Sequence, residues 1–478
     1  MLSAQNIFVT HKHITGVYSL LAEAAVLHFA KSRNIKIVSH QEMNNRKFDI
    51  YVLWSACKVL AAYISGALNF FSRRPYYIFE VGNVEFGKYI TASVLRDAKA
   101  GETPLTFFCR YQVSLLRAIF VYGSALRNKN KLSGIFLGDT AYLDGIWVDF
   151  FLNRENVDVY LMMQPYNVIC VSRSYASKGE FQRSLGARGR ELSPDNMVQA
   201  DEFMERRLQD PGASIYYYRA ENEPLRPIGE KNGKPSVIIY AHSFTDAQLD
   251  FGFDGFKSVY DWLTFTLKTL ERLGDRVNVY LKAHPNFYSE ETESKRETLD
   301  KKIWLGFVEN LPSNINVVDY PVSNLDLLQN FDTKTDVLIS HHGNAVVEGA
   351  HLGFNSISSE ASAWSTNYKF SHLWSSKAEY RSLISEIDKL PPLADQQRLT
   401  VYDFVSHFFL REKSDFSECF FLSVIAKHTN VSVLQLIKNP TSVIELGEVA
   451  HKLLVEHLAL CIGAINPAGD QAEAPSCN

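Results

Sequence analysis

Twice along this chain, short runs of β-branched and aromatic residues alternate with longer stretches of helical periodicity. That alternation constrains the fold more than any other feature. Strands separated by helices pair in parallel, and the crossover helices cover both faces of the sheet. The first series reads as strands at Asn6–Thr10 (NIFVT), Lys36–Ser39 (KIVS), 76–81, Gly134–Leu137 and 157–162. Its helices are expected at 18–31, from Ile50 to Phe71, and from Leu143 to Asn153. The second series opens at Ser236–Tyr240 (SVIIY) and continues with strands at 277–282, 316–318, 336–340 and 355–358. Helices are expected there at 256–273, 326–330 and 344–352. Between the series, ENEPLRPIGEKNGKP (221–235) is rich in Pro, Gly and charge and reads as a linker. The expected fold class is α/β, with two Rossmann-type doubly wound domains, 1–230 and 231–400, and an interdomain cleft. Helices over 401–464 are placed to pack back on the first domain, and 465–478 reads as a disordered tail. A length of 478 residues suits two domains.

Composition narrows the partners. A net charge of −4 excludes a general electrostatic footprint for nucleic acid. The six cysteines, Cys57, Cys109, Cys170, Cys419, Cys461 and Cys477, are scattered without a CxxC pair. They read as isolated thiols of a reducing compartment. MLSAQNIFVTHKH lacks the basic-then-apolar order of a secretory leader. The run from Val52 to Phe71 is long enough to span a bilayer, but Lys58 at its centre favours a buried or interfacial helix. Arg73 and Arg74, just after it, can meet lipid headgroups or sit in a solvated turn.

In open α/β sheets, ligands bind beyond the carboxyl ends of the strands, so the residues there carry the candidate chemistry. Pro285 forces His284 (KAHPN) out of the helical region, where it can donate a ring N–H to a phosphate oxygen or bond a neighbouring carbonyl. Ser340, His341, His342, Gly343 and Asn344 form a loop that can cradle an anion at a helix start. The two histidines can alternatively bind a metal, although no partner set at metal spacing accompanies them. Glu348 can accept from a ribose or sugar hydroxyl, or be a solvated first-turn carboxylate. Asp246 follows the SVIIY strand as a general base, a nucleophile or an N-cap, with Asp250 and Asp254 as weaker candidates behind it. Asp139 and Tyr142 in GDTAY, together with Gln248 and Lys282, complete the cleft and acceptor candidates. The basic run 178–190 can serve an anionic acceptor or be a solvated loop. DxD, Walker A and GxGxxG patterns are absent, so neither metal-nucleotide, ATPase nor nicotinamide chemistry has a motif.

Taken together, HSFTDAQ, FDGFKSVYDWLTFTL, YLKAHPNFYSE and SHHGNAVVEGAHLG resemble bacterial capsule and surface-polysaccharide glycosyltransferases of the two-domain GT-B type. Within these, the pattern is similar to the transferases that use CMP-Kdo, including the retaining β-Kdo transferases. EVGNVEFGKYI and GDTAYLDG fit the same family, and the resemblance covers roughly residues 76 to 360. It implies that His284 and the loop from Ser340 contact the donor phosphate, and that Asp246 is the active-site carboxylate. SHHGN departs from the plainer Ser/Gly loop of many relatives, and its extra histidines can supply an acid or base. The implied reaction is metal-independent transfer from a nucleotide sugar, best CMP-Kdo, to a saccharide or lipid-linked glycan. The nucleotide sugar is a substrate, and no cofactor is implied. The implied location is cytoplasmic, compatible with peripheral contact at an inner membrane. Competing readings are a CDP-polyol phosphotransferase, a UDP-sugar transferase, a non-catalytic glycan-binding module and a sugar-nucleotide epimerase.

Overall fold

The computed structural model describes residues 6–10, 36–39, 48–69, 79–96, 103–132, 134–137, 141–152, 157–163, 167–171, 194–209, 223–228, 232–245, 254–256, 258–288, 295–312, 314–365 and 367–408. They divide into two units, with chain boundaries at 93/94, 109/110 and 178/179. The helix expected at 18–31, residues 410–464 and the tail lie outside the described residues.

The first unit holds β1 (Asn6–Thr10), β2 (Lys36–Ser39), β3 (Gly134–Leu137), β4 (Asp158–Met163) and β5 (Asn167–Val171), in the order β2-β1-β3-β4-β5. All neighbours pair in parallel except β4 and β5, which close the edge antiparallel. The strand expected at 76–81 is, where described, a bridge between Val81 and Val84 across a turn whose Gly82 has φ +65°. Helices α1 (Ile50–Asn69), α4 (Gly145–Leu152) and most of α2 (Phe86–Arg96) and α3 (Pro104–Asn128) belong to this unit. Aromatic rings fill the space between them. Phe86, Tyr122 and Phe150 meet edge to face with centroids 5.2 and 5.5 Å apart, the offset that ring quadrupoles favour.

The second unit is entered through α5 (Pro194–Gln209). Its strands are β6 (Ser236–Tyr240), β7 (Asn278–Lys282), β8 (Ile315–Val318), β9 (Val337–Ser340), β10 (Asn355–Ser359) and β11 (His372–Trp374). They form one fully parallel sheet in the order β11-β10-β9-β6-β7-β8. Strand β6 is buried at all five positions, as a strand covered on both faces must be. Its side chains alternate between two cores. Val237 and Ile239 join Trp262, Leu263 and Trp374 on one side, and Ile238 and Tyr240 join Leu327, Leu328 and Phe354 on the other.

The covering helices begin at side-chain caps. Ser258 accepts from the Asp261 N–H at 3.1 Å to start α6 (Val259–Glu271), and Ser323 accepts from Asp326 at 3.0 Å to start α8 (Asn324–Leu328). The remaining helices are α7 (Lys295–Val308), α9 (Ala345–His351), α10 (Lys377–Ser385) and α11 (Asp395–Phe408). Helix α9 lies so close to β9 that a Cβ on Gly349 would fall 2.0 Å from Leu338 Cδ1. Helix α5 packs here, with Ala200 and Met204 in one core with Val346, Val347 and Phe404. The sequence had suggested that α5 belonged with the first series. Its buried Arg207, which bonds Glu348, draws it to the second unit.

The α/β class read from the sequence is thus the observed one, with two doubly wound sheets. In the second, the chain builds three strands outward from β6, then returns to β9 on its other side. The carboxyl ends of β6 and β9 therefore flank the topological switch point.

Candidate functional site

Register sets the site. Tyr240 at the end of β6 pairs with Lys282 at the end of β7 and with Ser340 at the end of β9. Two residues beyond each stand His242, His284 and His342. A strand repeats its side-chain direction every second residue, so three imidazoles arrive level on neighbouring strand ends. The ring of His242 is 4.2 Å from that of His342 and 5.3 Å from that of His284, centroid to centroid. The ladder continues past the strands to hold them, with Ala241 N–H donating to Lys282 O and Ala283 N–H to Val318 O, both at 2.9 Å. After His242 the chain is fixed from below by Asp300 of α7. It accepts from Ser243 Oγ at 2.5 Å and from the Phe244 N–H at 3.0 Å.

A second layer stands behind His342. Asp254 Oδ2 lies 2.8 Å from His341 Nε2, so that nitrogen carries a proton. Nδ1 of His341 lies 2.6 Å from Nδ1 of His342, and two ring nitrogens at that distance share one proton. When His341 is cationic it donates to His342, which then holds its own proton on Nε2. When His341 is neutral, His342 donates and its Nε2 is bare. The charge on His341 thereby decides whether His342 offers a donor or an acceptor. Trp262 and Trp374 wall His341 edge to face at 5.4 and 5.9 Å. Asp254 is fixed by Ser359 Oγ at 2.6 Å and by the Phe256 N–H at 3.3 Å. The next residue must be glycine. Gly255 has φ +97°, and a Cβ there would lie 2.6 Å from the Lys377 backbone nitrogen.

Electrostatics follow the geometry. Burial pushes Asp254 up, but the charge and hydrogen bond of His341 outweigh it and hold the carboxyl below its ordinary range. Burial, then the neighbouring His242, His341 and His284, push His342 well below the usual imidazole range. A neutral His342 offers its outer nitrogen as donor or acceptor according to which ring of the His341–His342 pair holds the shared proton. Ser340 Oγ accepts from the Gly343 N–H at 3.3 Å, and a Cβ at 343 would stand 2.8 Å from that oxygen, so the loop needs its glycine. Asn344 takes helical angles at the start of α9 and makes no side-chain cap.

Other residues singled out by the sequence serve elsewhere. Glu348 is buried in α9, its oxygens bonded by Arg207 Nε at 2.9 Å and by the Asn324 amide. Lys282 is buried too, donating to Val322 O at 2.8 Å and to Asn324 Oδ1 at 2.5 Å. Burial brings its ammonium down to about 8, against the opposing pull of Glu348. Lys282, Asn324, Glu348 and Arg207 are one buried chain tying β7, α8, α9 and α5 together. Tyr142 is buried in the first unit, its carbonyl accepting from Gly145 at 2.8 Å. Asp139, Asp246, Gln248 and Asp250 lie outside the described residues, as does the basic run 178–190. Among the described residues, no group of three or more His, Cys, Asp or Glu has the geometry to hold a metal ion.

The sequence reading passed over His242, although YAH and KAH repeat the same spacing after two adjacent strands. It ranked Asp254 low, because nothing local announces that His341 comes to it.

No protein-family profile matches the chain, and no curated protein does. Among solved structures it is similar to the beta Kdo 2,4 transferase KpsC of Thermosulfurimonas dismutans, at 14% identity and a TM-score of 0.36, over 59% of this chain and 81% of that one. Anabaena Alr3699/HepE in complex with UDP-glucose aligns at 10% identity and a TM-score of 0.28, over 92% and 98%. The UDP-GlcNAc 2-epimerase of Methanocaldococcus jannaschii, in complex with UDP-GlcNAc and UDP, aligns at 9% and 0.26, over 83% and 97%.

Proposed function

We propose that this chain is a glycosyltransferase of bacterial surface-polysaccharide synthesis, for capsule or O-antigen, with a GT-B-type use of its two units. The donor is a nucleotide sugar, best CMP-Kdo. One observation supports this reading above others: His242, His284 and His342 stand level across the switch point of a parallel sheet. An anion there meets N–H donors from three strand ends.

The reaction asks for little else at the leaving group. The bond between the anomeric carbon and the phosphate oxygen breaks, and its electron pair stays on the phosphate. The imidazole N–H groups stabilise that charge. Asp254 and His341 stand behind them and orient His342 through the shared Nδ1–Nδ1 contact. Asp246, assigned by resemblance, either attacks the anomeric carbon in a retaining course or deprotonates the acceptor hydroxyl in an inverting one. With the leaving phosphate held by imidazole N–H groups, the proposed course has no step assigned to a divalent cation.

Calorimetric titration with CMP, CDP, UDP and GDP, with and without EDTA, tests this. The expected result is CMP binding indifferent to EDTA and weakened roughly ten- to hundredfold in His284→Ala, the loss of one charge-assisted hydrogen bond. Preference for UDP, GDP or CDP removes Kdo as the donor. CMP release without sugar transfer in the product mass favours the polyol-phosphate reading. Binding of none of the four overturns the enzyme and favours a glycan-binding module.

A further inference from the structure

Helices α1 and α3 of the first unit pair through their inner faces. Ser55 Oγ donates to Ile119 O at 3.0 Å, and Gln112 Nε2 donates to Tyr63 Oη at 3.0 Å. Val52 comes so near α3 that a Cβ on Gly123 would lie 3.0 Å from it. Val52, Ser55 and Val59 are buried. The opposite face of α1 carries Ile50, Leu53, Trp54, Leu60 and Ile64, which fall on one side of a helix of about 3.6 residues per turn, and every one is at least 41% exposed. On α3, Val113 and Leu116 are exposed as well. Of the fifteen large apolar side chains exposed among the described residues, eleven lie on or beside these two helices. Scattered singles are ordinary on a protein surface, and a concentration of this kind is not.

Charge identifies what covers the face. Neither helix contains one Asp or Glu. At the chain's own frequency, 53 acids in 478 residues, about five would fall in two helices of 20 and 25 residues. They carry Lys58, Arg110, Arg117 and Arg127 instead. Lys58 holds its ammonium 3.8 Å from the Trp54 ring, at the border of the apolar stripe. A protein partner tolerates acids and bases alike at an interface rim, whereas an anionic lipid surface excludes acids. Arg127 pairs with Asp49 just ahead of α1, and the apolar stripe with its indole, flanked by Lys58 and Arg117, is the pattern of a helix lying in the headgroup layer. Among the described residues no helix is long and apolar enough to cross a membrane.

We propose that α1, backed by α3, docks this chain on an anionic lipid bilayer. Trp54, Leu60 and Ile64 enter the acyl boundary, and Lys58 and Arg117 meet the lipid phosphates. The surface belongs to the first unit and does not depend on the transfer chemistry, so a failed donor assignment leaves it standing.

Cosedimentation of the full chain with phosphatidylcholine vesicles, pure or containing phosphatidylglycerol, tests it. Binding is expected only with the anionic vesicles, falling as salt rises. Lys58→Glu, a two-unit charge change, is expected to weaken it roughly thirtyfold. Ile64→Glu, at an exposed site that folding does not need, is expected to weaken it at least about tenfold. Quenching of Trp54 emission by brominated lipid, lost in Trp54→Phe, marks the inserted residue. No sedimentation at low salt overturns the proposal, as does equal binding by wild type and Ile64→Glu. A concentration-dependent dimer abolished by Ile64→Glu, without vesicle binding, also overturns it and gives the face to a second copy.

Discussion

The two sheets share an architecture and use polar residues differently. In the second unit, two buried carboxylates lie against a basic partner, Glu348 against Arg207 and Asp254 against His341, while Asp300 is met by neutral donors. In the first unit the buried Asp149 is met by neutral donors, the Tyr89 hydroxyl at 2.8 Å and the Glu85 N–H at 3.0 Å. Burial raises its carboxyl to about 7, against the pull of Lys88 and of those two hydrogen bonds. The contrast extends to the surface. The second sheet puts imidazoles at its strand ends, and the first unit puts exposed apolar side chains on α1 and α3. One layer plan thus carries an edge of imidazoles in one case and an exposed apolar face in the other.

The largest expected effect tests the paired charges. Arg207→Met leaves the Glu348 carboxylate buried without its cation and is expected to cost about 3–5 kcal/mol in urea unfolding at neutral pH. A loss below about 1 kcal/mol would break the contrast between these two carboxylates, because Glu348 would then need its cation no more than Asp149 does.

Asp149→Asn is expected to act in the opposite direction. The folded pKa stands above the unfolded value of 3.8, so the native state holds the extra proton and wild-type stability falls as pH rises from about 4 through about 7. Asparagine keeps an acceptor for the Glu85 N–H, can donate its amide to the Tyr89 oxygen, and removes the charge. It should flatten that slope and stabilise the protein above pH 7 by up to about 4 kcal/mol. Parallel stability-versus-pH curves for the two proteins would answer the question.

The smallest effect sharpens the view of the site. Asp254→Asn removes the counter-charge of His341. Asp254 has a depressed folded pKa, so its stabilisation is present above the unfolded value of 3.8 and lost as pH falls through the lower folded one. Melting temperatures of the variant should therefore be less acid-sensitive than those of wild type. Phosphate binding favours protonated imidazole, so wild-type CMP affinity should rise as pH falls.

Much of the second unit was legible because parallel strands covered on both faces are apolar throughout. SVIIY, NVYLK and VLIS stand out for that reason, and the residues after them marked His284, His341 and His342. Helix α3 escaped notice because its apolar residues point both ways. Tyr111, Leu115, Ala118 and Tyr122 face the core, while Val113 and Leu116 face out, and the helical period is blurred. Glu348 and Lys282 were read as ligand-facing from their places after strands. Only the packing of α5 and α8 shows that a buried network claims them. His242 and Asp254 gained their meaning from strand order and from a loop closing over distance, neither of which local sequence encodes.

Strand order also bears on how the chain is made. The Ser236 N–H finds the Asp336 carboxylate 100 positions later, where β6 meets β9. Until those residues leave the ribosome, β6 is a bare sheet edge of valine and isoleucine, the kind of edge that recruits foreign strands. Helices α6 and α7 and strands β7 and β8 have emerged by then, but the centre of the sheet is still its rim. The imidazole cluster and the closure of that rim arrive in one step, with HHGN at 341–344. A nascent chain stalled ahead of β9 would present a sticky half-sheet, and a chaperone that shields it must let go at the moment the site is born.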